Sequence, residues 1–506
     1  MSTVMARMME LNSPLGKDLL FRSLRGREEL GRFSEFEVSA LSKRGDIKPS
    51  ELLGKSITVK MELMKGGTRY FNGYVTRFGQ ADTLGRYYAY RMTVHSWLWF
   101  LTRTTDCKIF QEKSVPDIIK EVFGDHKMAV FEDALNGSYA PREYCVQYRE
   151  TDFAFVSRLM EEEGIYYYFE HEDGKHTLKL VDSDSGHKKL EGKPSIACHL
   201  AGRTLHGEEE CIQSFRQGES IQPGIVAARS YDLERPKADL SVKAQNIQQV
   251  QNADYEVYTY EGDYIKTDVG DHLVKVRVEE LHSEFELAEA ETNVREVAVG
   301  RLFKLTNAPR KDQEKDYLIV KAEWDVMNNT YEANTNEDAL YRCTMTVLQS
   351  KQQFRPARIT PRPSMGGPQT AVVTGPAGEE IYCDKYGRVK VQFHWDRYGK
   401  KNENSSCWMR VSNPWAGANW GGMAIPRMGQ EVIVDFLEGD PDQPIITGRV
   451  YNADMMPPYA LPANATQTGI KSRSSKGGGS ANFNEIRFED KKGSEQLFVH
   501  AEKNQD

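Results

Sequence analysis

The side chains that could do chemistry are few and poorly spaced for it. His171-Glu172 with His176 has the residue types of a zinc-protease box, in which two imidazoles bind the metal and the carboxylate serves as general base. That box needs its histidines at i and i+4 on one helix face. Here they stand five apart across Asp173-Gly174, and Asp-Gly between two alternating runs predicts a β-hairpin. A zinc site would have no helix to hold its ligands. Gly54-Lys55-Ser56 ends like a phosphate loop, yet Pro49 stands where its first glycine should be. There is no G-x-S-x-G elbow and no Cys/His pair at a catalytic spacing. Paired acids such as Glu209-Glu210 and Asp182-Asp184 lie in charged, loop-like surroundings that give no cause for a raised pKa. Trp415 and Trp420, in NPWAGANWGG, offer the aromatic faces of a sugar-stacking platform, or are loop aromatics tucked against a barrel. The seven cysteines, at 107, 145, 198, 211, 343, 383 and 407, form no C-x-x-C pair. Dispersed single thiols fit a reducing cytoplasm and small buried core positions rather than a disulfide framework or a zinc ribbon. The expectation is no catalytic residue, no cofactor and no metal ligand.

The elements that would have to position a site are mostly strands. In GRVKVQFHWD, Val389, Val391, Phe393 and Trp395 share one face, and in EVIVDF, Val432, Val434 and Phe436 do so. Cys407, Met409 and Val411 repeat the pattern more weakly. The turns Asp384-Lys385-Tyr386-Gly387 and Glu438-Gly439-Asp440-Pro441 punctuate them. With AVVTG, EIYC and IITGRVY, five or six short strands predict a five-stranded OB barrel. Such a barrel ordinarily suggests nucleic acid, but Ala371 to Asn452 carries nine Lys plus Arg against ten Asp plus Glu. A phosphate-tracking groove needs a basic excess, so nucleic acid is not expected as a partner.

Upstream, FSEFEVSAL, SITVKMEL and RYYAYRMTVHSWLWFL read as strands. Ser114 and Gly124 bracket one helix, VPDIIKEVF, and Thr151 and Gly164 bracket a second, DFAFVSRLMEEE. Phe153, Val156 and Met160 give the second helix an apolar stripe that should face a barrel. Glu161, Glu162 and Glu163 close it against the helix dipole and read as a solvated face, with an electrostatic contact to a partner subunit as the alternative. DVGDHLVKVRVEELHSEFELAEAE reads as one mostly solvent-facing helix, and NVREVAVGRLFKL, DYLIVKAEW and ALYRCTMTVL as strands. The segment RPARITPRPSMGGP, with four prolines and two glycines, is a connector into the barrel. A second connector, DMMPPYALPANATQTGIKSRSSKGGGSAN, leaves it. Beyond it Ile486 and Phe488 alternate with polar residues, as do Leu497 and Val499. A lone two-stranded hairpin is marginal in water, and three copies around an axis would cover its apolar face.

At 506 residues the chain has room for roughly three domains, and 39% hydrophobic with 10% aromatic residues is enough for real cores. No window approaches the ~18–20 apolar residues of a membrane span. Arg7 and Glu10 flank only a short apolar patch, which is no secretory signal.

The strings IYCDKYGRVKVQFHWDR, WGGMAIPRMGQEVIVDFLEGDPDQPIITGRVYN and FNEIRFEDKKGSEQLFVHAEKN resemble signature segments of the VgrG family, the spike proteins of bacterial type VI secretion. SPLGKDLLFRSLRGREELG, SVPDIIKEVF, CVQYRETDFAFVSRLMEEEGIYYYFEH and FRPARITPRP resemble stretches of the same family in the same order. The resemblance implies a mainly β chain: a phage-tail-hub-like domain with β-barrel subdomains and helices at 1–365, an OB barrel at 366–455 and a linker at 456–481. Residues 482–506 would be the truncated start of a triple-stranded β-helix. It implies a homotrimer whose paired barrels make a pseudo-sixfold ring on a hexameric Hcp tube. Phe483, Ile486, Phe488, Leu497 and Val499 are the candidate trimer interface. A PAAR-type tip protein, effectors with their adaptors, and sheath and baseplate components are the further partners, with transient contact to a target membrane. Such a protein is made in the cytoplasm and leaves without a signal peptide. Trp415 and Trp420 resemble family scaffold positions, which favours packing against the barrel over sugar binding. The alternatives are the hub of a contractile phage or tailocin, and a carrier of a cell-wall hydrolase. A hydrolase needs an inserted domain, and only about thirty residues separate Asn452 from Phe483.

Overall fold

The computed structural model describes residues 9–199, 209–260, 262, 264–328 and 340–506. Period-two alternation makes the chain mainly β. In Asp316–Met327, Ala322, Trp324 and Val326 are buried while Lys321, Glu323 and Asp325 take the other face. The described residues fall into two units, which the chain enters alternately.

The first unit draws on Met1–Thr104, Val115–Ala140 and Thr151–Pro361. Its main sheet has thirteen strands. The first six, Met9–Asn12, Ser56–Glu62, Thr68–Leu84, Tyr87–His95, Glu35–Ser42 and Leu20–Glu29, form one antiparallel run. Leu20–Glu29 then pairs with Asp316–Met327, which carries the sheet on through Leu340–Gln349, Glu286–Thr292 and Ile212–Glu219. One continuous core, including Phe36, Phe71, Tyr90, Phe303 and Trp324, lies beneath it.

Three helices, α1 (Val115–Gly124), α2 (Asp152–Glu163) and α3 (Thr267–His282), complete this unit. In α2 the Thr151 hydroxyl accepts from the Ala154 amide, and Gly164 ends the helix at φ 72°, a left-handed conformation open to glycine at little cost. Three expectations need correction here. Glu161 is not solvated: it is buried, pairs with Arg32 at 3.1 Å and accepts from the backbone amides of Ile359 and Thr360. The long acidic helix stops at His282, because ELAEAET alternates and forms the strand Glu286–Thr292, with Ala288, Ala290 and Thr292 inward. α3 is not mostly solvent-facing either. Its Val274 and Val278 pack on a three-stranded sheet of Val242–Gln245, Ile225–Arg229 and Glu256–Tyr260. In NVREVAVGRLFKL the strand spans only Arg301–Thr306, and Val294, Val297 and Val299 are buried without joining a ladder.

The second unit contains the barrel. Lys390–Phe393, Gln369–Thr374, Glu431–Phe436, Pro444–Val450 and Arg410–Val411 follow one another in a five-stranded sheet. A bridge from Val389 to Met409 brings the last strand back to the first. Val389, Val391, Phe393, Met409, Val432, Val434 and Phe436 are buried inside, with Trp395 partly buried against them. EIYC forms no strand. Thr105–Ser114 and Pro141–Glu150, within the 1–365 read as hub, belong to this second unit. The strands Thr105–Phe110 and Cys145–Thr151 pair with each other, and Tyr144, Val146 and Tyr148 join the barrel core. The Val146 amide donates to Asp442 at 2.7 Å, and Gln369 bridges Tyr148 and Trp395.

Candidate functional site

The histidines with metal-ligand character are engaged by the protein itself. The strands Tyr166–Glu172 and Lys175–Val181 form the expected hairpin, with His171 directly opposite His176 and Gly174 at φ 75°. His171 Nδ1 accepts from the Asn72 amide, so Nε2 carries the proton and donates to Glu28 at 2.6 Å. His176 Nε2 accepts from the Trp97 amide, and Nδ1 donates to the Asn72 side-chain oxygen at 2.7 Å. Burial holds His176 down at about 3. Burial pushes the Glu28 carboxyl up, but His171 and Arg69 outweigh it and hold the group below its ordinary value. Both rings are therefore fixed as members of a buried hydrogen-bonded network.

That network makes the first unit acid-sensitive. Above about pH 6.5 His176 is neutral folded or unfolded; below it the unfolded ring takes a proton that the buried one refuses until about 3. Stability is lost as pH falls through that window. Glu28 adds to the loss at its lower end, since its contribution is present above the ordinary 4.5 and disappears as pH drops through the depressed folded value. At ~1.4 kcal/mol per unit, wild type should lose about 2–3 kcal/mol more than His176→Gln between pH 7 and pH 4.5. Urea unfolding at the two pH values measures it, and equal losses would contradict the assignment.

The other candidates also have structural partners. Asp182 accepts from the amides of Asn136 and Gly137 and from the Tyr139 hydroxyl. Glu210 pairs with Lys193 at 3.0 Å. Gly54, at φ 74°, donates to the Val75 carbonyl in a turn. Cys145, Cys198, Cys211 and Cys343 are buried, Cys107 and Cys407 are half-buried, and Cys383 is exposed. Among the described residues no group of three or more His, Cys, Asp or Glu side chains is arranged to hold a metal ion, and no helix is long and apolar enough to cross a membrane.

What the second unit does present is an apolar sheet face. Gln467–Lys471, Glu485–Glu489 and Gln496–His500 form a three-stranded antiparallel sheet. The stretch read as the linker 456–481 therefore contains a strand, and the expected two-stranded hairpin has a third. Register places Ile470, Ile486 and Val499 in one row, with Phe488 and Leu497 in another on the same face. These five are 81, 52, 47, 49 and 62% exposed. Phe483 does not join them. Its ring meets that of His500 at a tilt, centroids 4.5 Å apart, and lies under Lys471 on the opposite face, where Arg487 covers Phe498. Ile470 is hard to read from sequence because Gly469 sits inside its five-residue strand and a Ser-Gly run follows it. The alternation Thr468, Ile470, Ser472 is too short and polar to stand out.

Three family models match in order. Residues 27–330 match the phage tail baseplate hub, 370–451 the type VI secretion system/phage-baseplate injector OB domain, and 468–506 the bacteriophage T4 gp5 C-terminal trimerisation domain. The Pseudomonas aeruginosa type VI secretion system spike protein VgrG1c is 50% identical over 99% of this chain and 69% of its own length. VgrG1a of the same organism is 48% identical over 99% of this chain and 78% of its own length. The chain belongs to the VgrG spike proteins of type VI secretion.

The fold of this VgrG chain is also that of solved hub structures. An E. coli type VI secretion component, described as similar to the T4 tail proteins gp27 and gp5, superposes with a TM-score of 0.61 at 21% identity, covering 87% of this chain and 99% of its own. A Francisella PdpA-VgrG complex gives 0.61 at 10% identity, with coverage of 99% and 81%. Within the VgrG scaffold Trp415 and Trp420 depart from expectation. They are not tucked against the barrel but stand 65 and 57% exposed on a hairpin of their own.

Proposed function

We propose that this VgrG chain works as a homotrimeric, non-enzymatic spike: its hub end caps a hexameric Hcp tube and its needle end punctures a target membrane. The observation that carries the reading is the exposed apolar face of Ile470, Ile486, Phe488, Leu497 and Val499, in the segment that matches a trimerisation domain. A three-stranded sheet this exposed leaves its apolar face in water, and two further copies remove it from solvent. Obligate interfaces of this kind bury above roughly 2,000 Å².

Force comes from contraction of a surrounding sheath, and this protein supplies a stiff shape. Effectors, adaptors and a PAAR-type tip protein join the trimer, and baseplate components hold its hub. The spike is made in the bacterial cytoplasm and leaves through the injection machine itself. The high identity to type VI spike proteins favours this machine over a phage or tailocin. Light scattering on the purified chain tests the assembly: a mass of about three times 57.7 kDa is expected, with Hcp rings binding the trimer. A stable monomer that ignores Hcp overturns the reading.

A further inference from the structure

The hairpin formed by Trp415–Gly417 and Trp420–Gly422 stands apart from the barrel sheet and pairs with no third strand among the described residues. Its two indoles meet edge to face, with centroids 5.0 Å apart at 86°. Two of its glycines are dictated by close approach, one to a ring and one to backbone. A Cβ at Gly417 would lie 2.3 Å from the Trp420 ring, and one at Gly421 would lie 2.3 Å from the Trp415 carbonyl oxygen. Gly421 also sits at φ +140°, a conformation that only glycine adopts readily. The hairpin thus holds two large aromatic side chains rigid while leaving them in water.

Its chemistry points to a protein partner. From Ser412 to Ile425 there is not one charged residue, in a chain that is 28% charged. Depletion of charge with enrichment of Trp marks the centre of a protein interface. Perpendicular rings make no flat platform for a sugar, and this run has no carboxylate or guanidinium to grip hydroxyl groups.

We infer that the Trp415–Trp420 hairpin is an intersubunit anchor that inserts against a neighbouring copy of this chain in the assembled trimer. The inference rests on the homotrimeric reading above and adds a second contact to it. A run of exposed apolar residues connects the two. Arg449 donates to the Ala424 carbonyl, tying the end of the hairpin segment to the strand Pro444–Val450. From there Val450, Tyr451, Met456 and Leu461 continue exposed along the chain to Ile470 on the C-terminal face, all within the second unit. A threefold assembly closed by that face places neighbouring copies beside the chain that leads into it, and the hairpin, tied to that chain through Arg449, presents two exposed indoles. Trp anchors in such positions carry a disproportionate share of association energy.

Site-specific photo-crosslinking tests this. The purified chain carries p-benzoylphenylalanine at position 415 in one preparation and at position 499 in another. Both are expected to yield covalent dimers and trimers of the chain on irradiation. Crosslinking from 499 but not from 415 overturns the anchor and leaves the trimer standing; crosslinking from neither overturns both. A crosslink from 415 in the producing cell that captures only a different protein also overturns it. In parallel, Trp415→Ala with Trp420→Ala should move the dissociation of the trimer on dilution to at least ~10-fold higher concentration. An unchanged dilution curve counts against the anchor.

Discussion

Replacing Ile486 with aspartate is expected to convert the trimer into separate, folded chains. Ile486 sits in the middle strand of the C-terminal sheet, between Ile470 and Val499. In the single chain it is 52% exposed, so a polar replacement there costs the subunit little, within about 0.5 kcal/mol. In the proposed trimer the same position is covered by the other two copies. Removing each isoleucine from the interface forfeits ~1.5–3 kcal/mol of apolar burial, three times over. Three carboxylates would also be desolvated close to one another without a cation opposite, at several kcal/mol more. The sum exceeds what a dilute trimer can tolerate, since each ~1.4 kcal/mol is tenfold in the equilibrium. Light scattering should fall from three times 57.7 kDa to one, with circular dichroism unchanged. Val499→Asp should behave alike, and Phe483→Asp, on the other face, should leave the mass at three chains. A trimeric Ile486→Asp variant would show that this face is not the interface.

How much of this was legible depended on whether the signal was local. Alternation in Val389, Val391 and Phe393 and in Val432, Val434 and Phe436 is enforced by the pleat, so the faces of the barrel strands could be read directly. The Asp173-Gly174 turn and the caps at Thr151 and Gly164 are equally local. The errors came where distant chain decides. Nothing near Tyr144, Val146 or Tyr148 announces that they finish a barrel whose strands begin more than two hundred residues later. Their partners, Asp442 and Gln369, are visible only in three dimensions. The stretch Glu286–Thr292 was absorbed into a helix because alanine and glutamate favour one, although its pairing with Ile212–Glu219 and Leu340–Gln349 overrides that propensity. Composition also hid structure. The Trp415 loop reads as aromatics tucked against the barrel, whereas Gly417 is set by the Trp420 ring and Gly421 by the Trp415 backbone in an exposed hairpin.

Glu161→Ala is the second substitution expected to have a large effect, and it acts on the connector rather than on an interface. The sequence sets Glu161 in the last turn of α2, where a negative charge opposes the helix dipole. The structure offsets that cost with partners: Arg32 at 3.1 Å, the amides of Ile359 and Thr360 at 3.1 and 2.9 Å, and the Thr360 hydroxyl at 2.9 Å. All lie within the first unit, and three of them belong to the proline-rich connector. Alanine leaves a partly buried guanidinium and two backbone donors without their acceptor, which costs ~3–5 kcal/mol. The loss should be local first, because RPARITPRP has no ladder of its own to fall back on. In that segment Arg355 and Arg362 are each followed by proline, which resists trypsin, so Arg358-Ile359 is the bond that opening exposes. Cleavage there should accelerate by ~100-fold or more, the ratio corresponding to about 3 kcal/mol. Exchange of the Ile359 and Thr360 amides should quicken with it. Glu161→Gln, which keeps an acceptor but not the charge, should fall between the two. If Arg358-Ile359 stays as resistant in Glu161→Ala as in the wild type, the connector is held by its other contacts, chiefly Arg355 to Glu279 and to the Gly164 and Asp182 carbonyls, and the buried carboxylate is not its principal anchor.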